Sequence, residues 1–589
     1  MLFGLLLACP PPEDSAAEAP VGALGQGRTN PFPSVELVED GHLAFDATDL
    51  PLAADGEAWD LELLAHRTGF SPVQPAIVMF EQPVDEASVS GQGGIATDGT
   101  VRLIDLDSGE ALPCFAELDA ATDALASGLR TLIVRPMVAM ASGHRIAVVV
   151  TSGVTSGGAP LSLPEPGGHY AKLAAELAAL GQDDVALAWD FPVQSYPDLV
   201  DAALARTAAP AGHTIDWTWE TGGDIEPPAG LWRLAEGSFV TTEFLADGKR
   251  LVLGEDGLPT AQGERAAYLM VAIPDAVKDA APGSVPVVIF GHGILSEPDN
   301  YLHDGDPSAL IALANGLGAI VVATKWTGLT ADDQLHALEV ASDFARFHEV
   351  PEMLVQGVVD TRALAVLLRD GDLLSDPVFA GLADPSTLWY YGISLGGIEG
   401  AVTLANQDVI SRGVFHVGGS AWATMLERSS NWPPFDIVVT RTFPESWERQ
   451  LLYSTTQLYW DSVDPATYAD RLVGGTWLWQ QSIGDEQVPN VTTELLARSV
   501  GLPLATPGAT TPLGLTAAAM PLTGAALTQF DPEVEAPAPT NRPASRSGAH
   551  AAPRMWEGTQ AQAAHFLRTG QVAHFCGEAP CSASNPGSW

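Results

Sequence analysis

One stretch of twelve residues, "WYYGISLGGIEG" at 389–400, constrains the fold of this chain more than any other. The bulky apolar run that includes it, "TLWYY" (387–391), is typical of a buried strand, and the residues after the glycines are typical of a helix. Ser394 then lies on a tight turn, where side chains at Gly392 and Gly396 would clash. The stretch therefore predicts a strand–turn–helix unit with a serine at its tip, facing the free N–H groups of the helix.

The chain around this unit alternates between apolar runs and helical stretches from about residue 265 onward. The predicted strands are 268–274, 285–290, 319–323, 387–391, 412–417 and 476–483, and the clearest helices are 307–317 and 353–370. Strands that alternate with helices predict βαβ units, and near-continuous apolar strands predict a sheet covered on both faces. The fold class is therefore α/β, with a mostly parallel sheet flanked by helices.

A glycine-rich loop follows the predicted strand 285–290 and reads "GHGILSEPDN". Glycines let backbone N–H groups approach a reacting oxygen, so we expect an oxyanion hole here. The expected donors are the N–H of Leu395, directly after the serine, and that of Ile294 or Gly293. His292 is interpreted as a structural neighbour of this loop.

A serine hydroxyl becomes nucleophilic only when a base takes its proton and a carboxylate orients that base. Where a serine occupies such a turn, the acid and then the histidine follow it in the chain. Asp485 comes directly after the strand 476–483, and Glu486 beside it is the alternative acid. Of the histidines that follow, His550 in the polar loop "SRSGAHAAPRMWEG" is preferred. The other two lie in a helical run (His565) and near the C-terminus (His574).

The motifs "GHGIL", "GISLGG", "GDEQVP" and "SRSGAH" together resemble the α/β-hydrolase fold over roughly residues 215–575. The arrangement is also similar to bacterial extracellular lipases. More narrowly, it is similar to two-domain surface lipases whose N-terminal half is of the virulence-factor-lipase type. The resemblance implies hydrolysis of carboxylic esters through an acyl-enzyme, with Ser394 as nucleophile, Asp485 as acid and His550 as base, and with no metal or organic cofactor.

The first part of the chain, residues 29–165, has a period of two and frequent turns. Strands are predicted at 76–80, 100–106, 129–136 and 145–150, and short strands at this spacing favour a small β-sandwich. The runs "PAIVMFEQPVDEASV" and "LIVRPMVAMASGHRIAVVV" resemble bacterial Ig-like domains. We expect a helical connector at 166–214 and a catalytic domain at 215–589.

A long insertion, about residues 420–475, separates the strand at 412–417 from the strand before Asp485, and we interpret it as a helical cap. It is rich in large apolar side chains: Trp422, Trp432, Phe435, Trp447, Leu451, Leu452, Tyr453, Tyr459 and Trp460. These residues could line a pocket for an apolar acyl chain, or they could pack the cap onto the sheet. The sequence leaves both interpretations open.

The chain opens with "MLFGLLLACPPPEDSAAEAP", whose apolar run is too short to cross a bilayer. The residues before Cys9 resemble a lipobox, so residues 1–28 are interpreted as an export signal, a lipidated cysteine and a tether. Cys576 and Cys581 are close enough to form a disulfide in an oxidising compartment, and Cys114 is expected to be buried. These features predict an exported protein, either a cell-surface lipoprotein of the outer membrane or a secreted one.

The charge balance excludes several partners. The formal net charge is −46, from 73 acidic and 27 basic residues. This argues against binding of nucleic acid, and it limits membrane contact to the possible lipid anchor.

The sequence leaves two alternatives to an esterase. One is a serine peptidase behind a β-propeller, and the other is a surface lipoprotein that binds a partner without catalysis. The front half is too short for a propeller and has no repeat, which disfavours the peptidase.

Overall fold

The computed structural model describes residues 31–45, 49–51, 59, 61–89, 94–120, 129–163, 168–195, 199–303 and 307–589. Cys9 and the rest of the predicted export segment lie outside this range. The described chain has a β-rich front half and a large sheet flanked by helices. A single hydrophobic core contains residues of both parts, among them Phe70 and Val148 of the front half and Ile289 and Leu354 of the large sheet and its helices.

The described front half contains two main antiparallel sheets, besides two short two-stranded ones. Its main strands are β1 (Ala76–Val78), β2 (Val101–Asp105), β3 (Ala111–Leu112), β4 (Cys114–Leu118), β5 (Leu132–Pro136), β6 (Arg145–Thr151) and β7 (Val185–Pro192). One sheet has the order β1–β5–β4 and the other has the order β7–β6–β2–β3. The four strands predicted in this part are confirmed. The Ig-like character of this half stays a prediction.

The segment predicted as a helical connector contains a strand, so that prediction is wrong for its middle part. Helices α2 (Gly168–Ala179) and α3 (Leu199–Arg206) flank β7, which pairs with β6 of the front sheet. The sequence "VALAWDFP" places a large apolar residue at every second position, as a half-buried strand requires. This alternation determines the strand. The helical pattern of the preceding residues led the sequence analysis to extend a helical connector over it.

The large sheet has twelve strands. They are β8 (His213–Glu220), β9 (Leu231–Glu243), β10 (Gly263–Pro274), β11 (Val285–Gly291), β12 (Ile320–Ala323), β13 (Ala383–Ile393), β14 (Arg412–His416), β15 (Trp477–Ser482), β16 (Leu504–Thr506), β17 (Ala517–Ala519), β18 (Ala526–Asp531) and β19 (Cys581–Ser582). Their order is β8–β9–β10–β12–β11–β13–β14–β15–β18–β16–β17, with β19 also paired to β18. The pairs among β8, β9, β10 and β12 are antiparallel, and all others are parallel.

Helices flank this sheet as the sequence predicts. The described helices besides α2 and α3 are α1 (Glu62–Ala65), α4 (Asp299–Leu302), α5 (Pro307–Leu317), α6 (Gln334–Ser342), α7 (Glu349–Asp370), α8 (Leu395–Ala405), α9 (Trp422–Leu426), α10 (Pro433–Thr442), α11 (Ser446–Trp460), α12 (Ala469–Leu472), α13 (Asn490–Val500) and α14 (Glu557–Thr569). None of these described helices combines the length and apolar character needed to cross a bilayer. The mostly parallel sheet and its flanking helices confirm the predicted α/β class.

Four helices, α9 to α12, fill the insertion between β14 and β15 and form the predicted cap. The cap joins the front half through four buried charged side chains, which we call the charge tetrad: Glu117, Arg135, Glu427 and Arg428. The side chain of Arg135 bonds Glu117 at 2.5 Å and also Glu427, and Arg428 bonds both acids. Each charge therefore meets two opposite charges. Burial opposes ionisation of Glu117, but the attraction of Arg428 and Arg135 outweighs it and lowers the pKa of this carboxyl.

Further buried contacts cross the same boundary. The guanidinium of Arg67 in the front half bonds Asp461, and the amide of Gln74 donates to the hydroxyl of Ser454 at 2.8 Å. Asn541, in the long segment before His550, donates to Asp119 at 2.8 Å and to Glu427 at 3.0 Å. The front half is therefore bonded both to the cap and to the segment that leads to the candidate base.

Removal of one tetrad member should strongly destabilise the fold, because the remaining charges stay buried without a full set of partners. We expect Arg135→Ala to lower the free energy of unfolding by about 3–5 kcal/mol, measured by urea unfolding followed by tryptophan fluorescence. Arg102→Ala is the control, since Arg102 forms a partly exposed pair with Asp184 and should cost at most about 1 kcal/mol. Equal effects of the two substitutions would show that the tetrad does not hold the two parts together.

Candidate active site

Ser394 lies between the last residue of β13 and the first residue of α8, as the sequence predicts. Its backbone is strained, with φ 58° and ψ −117°. A Cβ on Gly392 would lie 2.0 Å from the carbonyl oxygen of Gly396, and a Cβ on Gly396 would lie 2.1 Å from that of Gly291. Both glycines are therefore required by close backbone approach, and they let the turn after β13 pack against the end of β11.

Asp485 and His550 form a buried pair at the same edge of the sheet. The Nδ1 atom of His550 lies 2.9 Å and 2.8 Å from the two carboxylate oxygens of Asp485. Oδ1 of Asp485 also accepts the backbone N–H groups of Gln487 and Val488 at 2.8 Å and 2.9 Å. These bonds fix the carboxylate, so the imidazole is oriented with Nε2 away from the acid.

Glu486, the alternative acid, has a different position. Its carboxylate accepts the backbone N–H of His550 at 3.1 Å, that of Gly548 at 3.2 Å and the hydroxyl of Ser547 at 2.9 Å. Burial raises the pKa of Glu486, but these hydrogen bonds outweigh burial and lower it overall. Of the two acids that the sequence left open, Asp485 contacts the imidazole and Glu486 holds the loop that carries it.

Parallel strands bring these residues together. The carboxyl ends of β13, β14 and β15 lie side by side, so the residues that follow them meet at one edge. The backbone carbonyl of His416, at the end of β14, accepts the N–H of Ser394 at 2.9 Å. Burial, together with the nearby charges of Arg554 and His550, lowers the pKa of His416 to about 3. His416 is therefore neutral beside the turn that carries Ser394.

The glycine-rich loop after β11 approaches Ser394 as predicted. A Cβ on Gly293 would lie 3.6 Å from Cβ of Ser394. The N–H of Gly293, however, donates to the hydroxyl oxygen of Tyr301 at 3.2 Å. The N–H of Ile294 has no acceptor among the described residues, and Leu395 begins α8, where first-turn N–H groups lack intrahelical acceptors. Of the two loop donors left open, Ile294 is the unoccupied one, and no sequence signal indicated Tyr301.

The remaining candidate histidines have structural environments. Nδ1 of His292 donates to the carbonyl of Gly293 at 2.8 Å, and its Nε2 accepts the N–H of Trp326 at 2.9 Å. Burial lowers the pKa of His292 to about 4, so it is neutral and has both nitrogens occupied. His565 lies on α14 with its ring against Phe575. His574 bonds the carbonyl of Ala579 in the loop closed by the disulfide between Cys576 and Cys581.

An apolar cavity of about 90 Å³ opens onto Ser394. Four of the predicted cap aromatics line it, while the other large apolar residues of the cap pack elsewhere. A second wall, which the sequence analysis did not identify, comes from α6 and the start of α7. The lining includes Ile294, Val340, Phe344, Phe347, Leu395, Trp422, Met425, Trp432, Phe435 and Trp460. Some of the cap residues therefore line a cavity and the others pack the cap, while an acyl chain as the occupant of the cavity stays a prediction.

Two buried acids, Glu399 and Asp464, lie close to the turn that carries Ser394. Glu399 is on α8, and neither of its carboxylate oxygens has a hydrogen-bond partner among the described residues. Burial, with a smaller effect of the nearby Asp464, raises the pKa of Glu399 well above its ordinary value. Burial likewise raises the pKa of Asp464 to about 6. Burial therefore favours the neutral form of the Glu399 carboxyl over the ionised form in the folded chain.

One group within the described residues could bring three metal-ligand atoms together: Asp105, Asp107 and His144. It lies in the front half and not at the serine. Its members already have partners, since Asp105 bonds Nδ1 of His144 at 2.8 Å and Asp107 accepts the N–H of Arg145. No step at Ser394 involves it.

Comparisons with known proteins were made at three levels. No protein-family model matches the chain, and no curated protein matches it. Among solved structures, an acetyl xylan esterase from a Thermoanaerobacterium species is 14% identical, with 57% of this chain and 88% of that chain covered and a TM-score of 0.34. Carboxyl esterase 2 from Tuber melanosporum is 14% identical over 59% and 89%, with a TM-score of 0.31. An acylaminoacyl peptidase from Pyrococcus horikoshii is 14% identical over 62% and 50%, with a TM-score of 0.30.

The buried acids predict how stability depends on pH. An acid whose folded pKa lies above its unfolded pKa stabilises the fold most at low pH, and this stability is lost as pH rises through the folded pKa. We therefore expect Glu399→Gln to reduce the fall in unfolding free energy between about pH 4 and pH 8, measured by urea unfolding at several pH values. Glu81→Gln, at an exposed position, is the control and should leave the slope unchanged. An unchanged slope in Glu399→Gln would mean that Glu399 is ionised in the folded chain.

Proposed function

We propose that this chain is a serine hydrolase that cleaves carboxylic esters, with Ser394 as nucleophile, His550 as base and Asp485 as the acid that orients it. The observation that carries the proposal is the buried Asp485–His550 pair at the sheet edge that holds a strained serine turn. Strain at a buried serine is costly, about 1–3 kcal/mol, and the turn keeps the hydroxyl at the tip of the strand. A base held in one tautomer by a carboxylate is what such a hydroxyl needs.

The reaction follows from these positions. Nε2 of His550 takes the proton from Ser394 as the serine oxygen attacks the ester carbonyl, and the carbonyl electron pair moves onto its oxygen. The N–H groups of Ile294 and Leu395 stabilise that oxyanion. The alcohol leaves with the proton from His550, and an acyl-enzyme remains. Water then attacks in the same way and releases the acid.

The cavity supports an ester with an apolar acyl part as substrate. Its walls are mostly aliphatic and aromatic side chains, with Ser429, Asn431 and Gln487 as polar members, and it reaches Ser394. The peptidase alternative is not favoured, because the described front half has two main antiparallel sheets instead of repeated four-stranded blades. The acyl length that this cavity accepts decides between the two kinds of esterase. A lipase prefers esters with long acyl chains, and a short-chain esterase prefers esters with short ones.

We further propose that the protein is exported and reaches the cell surface or the medium. The disulfide between Cys576 and Cys581 supports an oxidising compartment. Lipidation at Cys9 and membrane attachment through it belong to the same proposal.

The proposal predicts esterase activity that depends on Ser394. We expect the wild type to hydrolyse p-nitrophenyl esters, and we expect Ser394→Ala to lower kcat by about 10⁶-fold. Esters with two to sixteen carbons in the acyl chain would be compared under identical conditions. An optimum at eight carbons or more would indicate a lipase, and an optimum below that a short-chain esterase.

A fluorophosphonate probe gives the control for this assay, because it labels an activated serine whatever the acyl preference. Labelling should occur at Ser394 in the wild type and be lost in Ser394→Ala. A wild type that hydrolyses none of the esters and is not labelled would reject the enzyme and leave a binding protein.

The two neighbouring acids should differ in their effect on the reaction. We expect Asp485→Asn to lower kcat by about 10⁴-fold, since an amide stabilises the wrong tautomer of His550. Glu486→Gln retains an oxygen that accepts the loop N–H groups and should lower kcat only about tenfold, by weakening the charge-assisted bonds. Steady-state kinetics on one p-nitrophenyl ester would measure both. Equal losses in the two variants would contradict the division of roles between them.

A further inference from the structure

We propose that the hydroxyl of Tyr301 is a third donor of the oxyanion hole. This role rests on the proposed ester hydrolysis at Ser394. It begins from the hydrogen bond in which the N–H of Gly293 donates to Oη of Tyr301 at 3.2 Å. That bond removes one predicted backbone donor from the site and places a phenol hydroxyl beside it.

The proton of this hydroxyl remains available. A phenol oxygen can accept a hydrogen bond and still donate its own proton. Tyr301 accepts from Gly293, and no acceptor for its proton is found among the described residues. A buried or half-buried donor without an acceptor is costly, and an oxyanion formed at the serine would supply the acceptor.

The position of the hydroxyl fits this role. A Cβ on Gly293 would lie 2.8 Å from Oη of Tyr301 and 3.6 Å from Cβ of Ser394. The hydroxyl and the serine side chain therefore both lie within 3.6 Å of the point that a side chain at 293 would occupy. Glycine at 293 therefore has a second purpose, because any side chain there would displace the hydroxyl from this approach.

The ring of Tyr301 is held in place before substrate binds. Tyr301 lies on the short helix α4, and its ring packs against that of Phe290 on β11, with centroids 5.0 Å apart and planes at 62°. The helix is fixed at its first residue, since the hydroxyl of Tyr268 donates to the carboxylate of Asp299 at 2.9 Å. A donor fixed in this way needs no reorganisation when charge develops, which is the condition for strong transition-state stabilisation.

The hydroxyl acts as a hydrogen-bond donor and transfers no proton. While the bond between the serine oxygen and the carbonyl carbon forms, the carbonyl electron pair moves to its oxygen, and the serine proton goes to Nε2 of His550. The phenol keeps its proton and bonds the new oxyanion, together with the N–H groups of Ile294 and Leu395. A bond from a neutral hydroxyl to an anion is about twice as strong as one to a neutral carbonyl, so the effect appears in kcat.

The test compares Tyr301→Phe with Tyr170→Phe, which removes a half-buried hydroxyl from α2 of the front half, outside the site. On the p-nitrophenyl ester that the wild type prefers, Tyr301→Phe should lower kcat by about 10²-fold with KM nearly unchanged. Tyr170→Phe should keep kcat within about threefold of the wild type. A kcat of Tyr301→Phe within twofold of the wild type would overturn the proposal.

A thionoester separates oxyanion stabilisation from a loss of structure, because its sulfur accepts hydrogen bonds poorly. The ratio of kcat for the ester to kcat for the matching thionoester should fall at least tenfold in Tyr301→Phe and stay constant in Tyr170→Phe. Equal losses on both substrates would mean that Tyr301 only supports the loop, and this result too would overturn the proposal.

The remaining outcomes are also decisive. If Tyr301→Phe does not fold, 3,5-difluorotyrosine at position 301 keeps the ring and hydroxyl but ionises at lower pH. It should lose activity at a lower alkaline pH than the wild type, and an unchanged pH profile would reject the donor role. If the wild type hydrolyses no ester, the proposed function fails and this proposal with it. If the wild type is active and Tyr301→Phe matches it, only the role of Tyr301 fails.

Discussion

The charge tetrad is the interaction on which the remaining structure depends. Glu117 and Arg135 come from the front half, and Glu427 and Arg428 follow directly after α9, the first helix of the cap. Four isolated charges could not be buried in this way, since each would lose its hydration without compensation. Each charge bonds two opposite charges, and two of these bonds join the front half to the cap. The charges of either part are therefore fully paired only when the two parts are in contact. Glu427 also accepts from Asn541, so the same cluster anchors the segment that leads to His550.

This arrangement changes how the front half is understood. The sequence indicated a resemblance to Ig-like domains and placed no candidate site residue in this half. In the structure it has a mechanical part, because its buried contacts hold the cap, which forms one wall of the apolar cavity, and the segment that leads to His550. The cavity has one wall on the cap and one on α6 and α7, so its shape depends on where the front half holds the cap.

Much of the fold was predictable because its signals are local. Strands such as 285–290 and 387–391 are continuous apolar runs, and the turn around Ser394 is specified by glycines that backbone contacts require. The pairing of His550 with Asp485 followed from chain order and from the short list of histidines after the acid. Other features depend on contacts between distant residues and have no local signature. The side chains of Tyr301 and Glu486 accept backbone N–H groups of other segments. The second wall of the cavity comes from α6 and the start of α7, whose apolar residues cannot be told from core residues in the sequence. The strand β7 was missed because two helices flank it.

The tetrad also sets an order for the assembly of the chain. Arg135 and Glu427 are 292 residues apart, and Arg67 bonds the carbonyl of Leu458 across 391 residues. Glu117 and Arg135 are synthesised before the cap, so their charges can be fully paired and buried only after Glu427 and Arg428 have been made. Contacts between residues so far apart in the chain slow folding, and we expect the boundary between the front half and the cap to close late.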